Sequence, residues 1–450
     1  MNFTNIQDGF GRQVQLNFES RLSKFGGLTP ALHLLRQNGF IRLLEQNLIP
    51  TLPSERQAGK IKHSAESLFL QRFAGLLVGC EDLNDSPLLQ NDSGFICALG
   101  KENLASTATL CRFERKVTKA TIEKGNELLL DMWLRYGQRT RYIFIDVDNT
   151  PVELYGHQEN VKFNGHYNCN CYLPLLAFID GFPVGVFNGT IDGRKTMVAS
   201  FGAMIDRIKK SRPNAIIILR ADSGFNGKEL IDLCERKNCY YIIGLSPNAA
   251  LKKRLECWEP EFLDVLRRPP QIGGSLLRHY GEVEDYQAAS WSGPRRVIAR
   301  DYFDDQRREW DCRFIQTNIP KTNDGNCGKL FRYSSRELYE DLYCERGQVE
   351  KYNQEFKIQA KGARASSTLF LTNSYRMLLA AFCQMAYRLL RILYFKKNTP
   401  WNSAELSSFQ RAFICAPAVV RTLKTKVIIT INNASLSAED LQRFWRFNST

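Results

Sequence analysis

The chain has 450 residues, 44% of them hydrophobic, which is enough for about three domains or for one large domain with insertions. Its 61 Lys and Arg against 47 Asp and Glu give a formal net charge of +14, so a polyanion is the expected partner, with nucleic acid first among them. The 13 cysteines follow no regular framework and C-x-x-C is absent, which excludes a disulfide scaffold and a structural zinc site and points to reduced thiols.

Residues 1 to 135 read as a helical DNA-binding domain. "LTPALHLLRQNGFIRLLEQNLI" and "SAESLFLQRFAGLLVG" carry apolar residues at helical spacing, and "STATLCRFERKV" has a Ser/Thr start that suits a helix N-terminus. That last segment is a candidate recognition helix presenting Thr107, Arg112 and Arg115 to DNA. The polar start "MNFTNIQDGFGRQ" is not that of a signal peptide, and no long uncharged apolar run follows, so a cytoplasmic protein without membrane contact is expected.

After residue 140 the texture changes to strands: "YIFIDVDNT", "CYLPLLAFID", "FPVGVFNGT", "AIIILRADSGF" and "YYIIGLSPN", with helices near 196–210 and 227–237. Three strands followed by alternating helix and strand imply a mixed sheet with helices packed on it. Cys169 and Cys171 fall on one face of a strand, where their thiols pack together. Residues 250–320 read as an inserted β-rich subdomain with its clearest strands at "RRVIARDYF" and "WDCRFIQTN". "TLFLTNSYRMLLAAFCQMAYRLLRILYF" is apolar, but its internal Arg, Asn and Gln make it a buried core helix rather than a membrane span.

Between these last segments lies "DLYCERGQVEKYNQEFKIQAKG". At about 100° per residue, Tyr343, Arg346, Glu350, Lys357 and Lys361 fall on one side of a helix, a single carboxylate among cations. Two other places hold acids at the ends of apolar strands. In "YIFIDVDNT" Asp146 and Asp148 share one face, and in "IIILRADSGF" the apolar run leads into Asp222. Sheets of this type place their sites at such strand ends. Several carboxylates and only five histidines suit hard, oxygen-preferring cations, Mg²⁺ or Mn²⁺, and two such ions can drive displacement at phosphorus. Arg346, Lys357 and Lys361 would then grip backbone phosphates beside the metal centre.

These residues resemble the DDE transposases of bacterial insertion sequences, in the group 1 branch with the Tyr-Arg-Glu-Lys signature. Tyr343, Arg346, Glu350 and Lys357 match that signature's spacing, and "FNGHYNCNCYLPLLAF", "LRADSGF" and "YCERGQVE" resemble its blocks, over about residues 140–390. The resemblance implies an α/β, ribonuclease-H-like catalytic core, a mixed sheet flanked by helices and interrupted by a β-rich insertion, behind an N-terminal helical domain. The expected parts are 1–135, core 136–249, insertion 250–320, core 321–395 with the catalytic helix, and a C-terminal segment 396–450.

The catalytic and metal-binding acids it implies are Asp148, Asp222 and Glu350, with Asp146 as the other candidate for the first position. The implied cofactor is Mg²⁺ or Mn²⁺, as two ions. Tyr343, Arg346, Lys357 and Lys361 would contact DNA, and the partners would be the element's inverted repeats and target DNA, met by a homodimer at the nucleoid. Some relatives form a DNA hairpin in which a flipped base stacks on Trp; Trp258, Trp291 and Trp310 are available here, and His157 and His166 stay outside the catalytic set. The expected reaction is metal-dependent cleavage and strand transfer. An inactive DNA-binding repressor or architectural protein, or a structure-specific nuclease on the same core, are the alternatives.

Overall fold

The computed structural model describes residues 21–53, 63–189, 194–255, 276–283, 286–289, 291, 293–304, 309–395, 401 and 404–431. These fall into two compact units, one of 117–388 and one that joins 1–116 to 389–450.

The 117–388 unit is built on one mixed sheet of eight strands: β1 (Tyr142–Asn149), β2 (Leu175–Ile179), β3 (Phe182–Phe187), β4 (Ile216–Ala221), β5 (Tyr240–Leu245), β6 (Leu276–Val283), β7 (Arg296–Asp304) and β8 (Glu309–Thr317). Their order is β6-β7-β8-β5-β4-β1-β2-β3. β1, β4 and β5 run parallel, while β2 is antiparallel to both β1 and β3. This five-strand half, with the first strand central, is the ribonuclease-H-like arrangement. The local sequence explains its parts. β2 and β3 are joined by Asp180-Gly181 with φ of 52° and 73°, the two left-handed residues a tight hairpin needs. Pro174 separates β2 from the preceding strand Cys169–Tyr172, which pairs with Lys162–Asn164 and Val152–Glu153 in a small sheet of its own.

Among the described residues, the strands of the β-rich segment form no separate sheet: β8 pairs with β5, and β7 and β6 follow outward. The core sheet is simply longer by three strands. Residues 256–275 of that segment, including Trp258, lie outside the described residues.

Helices α1 (Lys119–Tyr136), α2 (Arg194–Ser211) and α3 (Lys228–Arg236) pack around the sheet. α1 lies against β3, with the Asn126 side-chain oxygen accepting the Val186 N–H at 2.7 Å. Further along, a helical run over 335–359, here α4, buries Leu338, Tyr339 and Leu342 against Ile218, Ile242, Ile298 and Ile315 of the sheet. This packing seats its signature residues at the sheet. α5 (Phe370–Tyr394) is long and apolar enough to cross a membrane, yet it is mostly buried within the protein and reads as a core helix. Among the described residues every cysteine is a free thiol. Burial, and then the neighbouring Cys169, push the Cys171 thiol up to about 11.

The other unit is mainly helical. Leu28–Gln37 and Phe40–Asn47 are two helices where the sequence pattern reads as one, because Gly39 adopts φ 79°. Ala65–Leu77 and Thr107–Glu114 are capped by Ser64 and Ser106, and a buried Arg72–Glu114 ion pair of 3.1 Å ties these two helices together. Ala418–Thr422 pairs with both Leu22–Ser23 and Val427–Ile431, so segments from early and late in the chain meet in one small sheet.

Candidate active site

Three elements bring acids to one place. β1 ends at Asp148-Asn149, β4 runs into Asp222, and α4 carries Glu350. The Asp148 carboxylate accepts the Asn149 N–H at 3.0 Å and the Asn353 side-chain N–H at 2.9 Å. Burial raises its pKa to about 6, with Asp222 and Glu350 adding like charge and Arg346 opposing them. Asp222 turns the chain after β4, its Oδ1 accepting the Gly224 N–H at 2.9 Å. Glu350 is exposed and free to meet a ligand.

Asp146 is placed quite differently. Its two oxygens accept Nε and Nη2 of Arg220 at 2.6 and 2.8 Å, and both side chains are more than 90% buried. Strand alternation puts Asp146 and Asp148 on the same face, but Asp146 is paired within the protein while Asp148 faces the other acids.

The signature helix departs from α geometry. Leu338–Tyr343 and Glu355–Gln359 are wide π turns, and Cys344–Gly347 between them is a tight 3-10 turn. Such departures concentrate where side chains must be re-aimed at functional sites. The helix then stops, and Lys361 has φ 64°, so it lies beyond the helix rather than on the expected stripe. Tyr343 and Arg346 meet each other, the guanidinium lying 5.8 Å from the ring centroid. Burial raises the Tyr343 pKa, Arg346 lowers it and Asp222 raises it, so both residues belong to the acid cluster. Lys357 is half-buried in the second wide turn. Arg112 and Arg115 lie on the helical unit, Arg112 donating to Thr109 at 3.3 Å.

A cavity of about 480 Å³ adjoins the acids, lined by Asp222, Gly244, Arg300, Arg313, Tyr343 and Arg346 among others. Gly244 on β5 is required by its surroundings, because a Cβ there would come within 2.7 Å of both the Tyr343 hydroxyl and the Ser223 backbone nitrogen. Trp310 is 40% exposed at the far part of the sheet, with Phe303 at 4.9 Å, whereas Trp291 is buried against Tyr286 and Arg295.

Sequence reasoning missed four residues here. Asn353 holds Asp148, and its position three after Glu350, one helical turn on, is the available signal. Tyr167, on the loop beside His166, is raised in pKa first by burial and then by Asp148 and Asp222, so it faces the acids. Arg220 is a cation within an apolar strand run, which is itself the signal, and Gly244 interrupts the apolar run of β5. Among the described residues no three Asp, Glu, His or Cys side chains are drawn tightly enough together to form a ready-made metal cage. The donor set nonetheless fits a hard divalent cation: oxygen ligands only, and a carboxyl whose pKa is raised first by burial and then by the like charge of Asp222, which a cation would neutralise.

Comparison with known proteins gives three findings. No curated protein matches the chain. A solved piggyBac transposase synaptic complex with hairpin DNA aligns over 85% of this chain and 79% of that chain, at 10% sequence identity and a TM-score of 0.44. The family described as transposase DDE domain group 1 matches residues 6–446. The chain therefore belongs to the DDE transposases of group 1, a family of DNA-cleaving enzymes.

Proposed function

We propose that this transposase binds the terminal inverted repeats of its own element, cleaves the phosphodiester at each end and joins the freed 3′-hydroxyl to target DNA, with Asp148, Asp222 and Glu350 as its catalytic acids. The observation that carries this reading is the convergence of three acids from three separate elements, registered in the rise of the Asp148 pKa to about 6 through burial, Asp222 and Glu350. Asp148 rather than Asp146 fills the first position because the Asp146 oxygens are already taken by Arg220.

Asp148, Asp222 and Glu350 would hold Mg²⁺ or Mn²⁺, as two ions, whose chemistry is to activate the attacking oxygen and stabilise the leaving one. The chain's own residues do the rest. Asn353 orients the Asp148 carboxylate, and Asp222 is fixed by its turn. Arg346, next to Tyr343 and close enough to Asp148 to lower its pKa, offers a planar fork to a phosphate of the bound strand. Lys357 and Lys361 extend this grip along the backbone, and Arg112 and Arg115 on the helical unit contact the repeat. Pairing of two ends requires at least a homodimer on DNA, acting in the cytoplasm on the nucleoid.

The test is a comparison of wild type with Glu350→Gln on labelled element-end DNA, read by mobility shift and by cleavage with Mn²⁺. The substitution removes a charge with little change of shape, so binding is expected to persist while cleavage is lost. Cleavage by Glu350→Gln at the wild-type rate would remove Glu350 from the catalytic set.

A further inference from the structure

We infer that Asp146 and Arg220 form a buried clamp that positions the three acid-bearing elements against one another, Arg220 being a positioning residue rather than a catalytic one. The inference rests on the proposed roles of Asp148, Asp222 and Glu350.

Arg220 ties its own strand to the other two elements with one guanidinium. It stands on β4, two residues before Asp222. Nε and Nη2 donate to the two oxygens of Asp146 on β1, at 2.6 and 2.8 Å, and Nη1 donates to the Leu342 carbonyl of α4 at 2.7 Å. Nη1 also comes within 3.5 Å of Glu345 Oε2 on the same helix. The guanidinium carbon sits 4.6 Å from the centroid of the Phe144 ring, which completes its enclosure.

Each contact is tied to an active-site residue by the periodicity of its element. Residues two apart on a strand share a face, so fixing Asp146 and Arg220 fixes the face on which Asp148 and Asp222 emerge. Asp146 and Arg220 are register partners in the parallel β1–β4 pair, and the register continues through Val147 and Ala221 to the point where the two acids leave the sheet.

On α4 the clamp takes hold of Leu342, at the end of the wide turns and just before the tight turn Cys344–Gly347. A carbonyl engaged by a side chain from outside the helix is one of the recognised causes of a break in the regular ladder. If the tight turn Cys344–Gly347 rewound to regular α geometry, each of its residues would turn about 20° less, and Glu350 would rotate by roughly 80° relative to Tyr343. The clamp thus sets the phase at which Glu350 faces Asp148. A lysine at 220 would keep the charge and lose the fork that reaches two elements at once.

The experiment uses the full chain as Arg220→Lys and as Asp146→Asn. Hydrogen exchange read by mass spectrometry compares peptides of α4 with peptides of β1 and β4, and calorimetry measures Mn²⁺ binding without DNA. The expected result is faster exchange confined to α4, with β1 and β4 protected as in wild type, and Mn²⁺ affinity lowered about 10–100-fold, the usual consequence of losing a partner of the ligand shell. Wild-type exchange in α4 together with wild-type Mn²⁺ affinity would overturn the clamp. So would loss of protection throughout β1, β4 and α4 in both variants, since the pair would then serve folding alone. A wild-type protein that binds no Mn²⁺ would instead overturn the assignment of the three acids, and the α4 exchange would still decide the clamp.

Discussion

Replacement of Asp148 by Asn tests the electrostatics of the site in a form that activity alone cannot. The Asp148 carboxyl titrates at about 6 against an ordinary 3.8, held up by burial and then by Asp222 and Glu350. At about 1.4 kcal/mol per pH unit, that interval corresponds to roughly 3 kcal/mol, and solvent screening of this partly exposed group reduces it to about 1–3 kcal/mol. Because the folded pKa lies above the unfolded one, the folded protein binds the proton more tightly between about pH 4 and pH 6. Stability therefore falls as pH rises through that window, and the full burden is present above it.

Asn keeps an acceptor for the Asn149 N–H and removes the charge. Asp148→Asn should then unfold at a higher temperature than wild type at pH 8, by about 2–10 °C for a unit of this size, and the advantage should vanish near pH 4. Scanning calorimetry of both proteins with chelator present measures this directly. Taking the difference between the proteins cancels the other groups that titrate in the same range. Added Mn²⁺ should narrow the gap at pH 8, because the wild type gains more from a cation that binds the folded state. An equal melting temperature at pH 8, or a difference that does not change with pH, would refute the reasoning.

Two further outcomes follow from the same geometry. Arg346→Gln removes the cation that lowers the Asp148 pKa, so the acid limb of the cleavage profile should move to higher pH, while Arg346→Lys should move it less; single-turnover rates between about pH 5.5 and 9 resolve this. Gly244→Ala places a Cβ within 2.7 Å of both the Tyr343 hydroxyl and the Ser223 nitrogen, and the backbone atom cannot yield as a flexible side chain would. A displacement of Tyr343 or of the Asp222 turn on the order of 1 Å should lower cleavage by about 100-fold with DNA binding kept, as read by a rate measurement beside a mobility shift.

Much of the core was legible because its signals are local. The runs that became β1, β4 and β5 are strongly apolar and end in polar residues, and Asp180-Gly181 marks a hairpin on its own. What the sequence hid were long-range choices. β6 reads "LLRHYGEV", short of β-branched residues, and is a strand because β7 pairs with it. The strands at 296–317 read as a subdomain, since nothing in a strand's own residues says which edge it will join. The stripe of Tyr343, Arg346, Glu350, Lys357 and Lys361 assumed 100° per residue throughout, whereas the helix alternates wide and tight turns and ends before Lys361. Asp146 and Asp148 are equivalent by strand alternation, and the structure separates them through Arg220, a residue 74 positions away from Asp146.

The most direct test of the account is cleavage of linear DNA carrying the gene with its natural flanks, by wild type and by Asp222→Ala, with Mg²⁺ or Mn²⁺. The account predicts metal-dependent cuts at the element's two ends with the wild type and none with the variant. Binding without any cut in both proteins, or equal cutting by both, would contradict it.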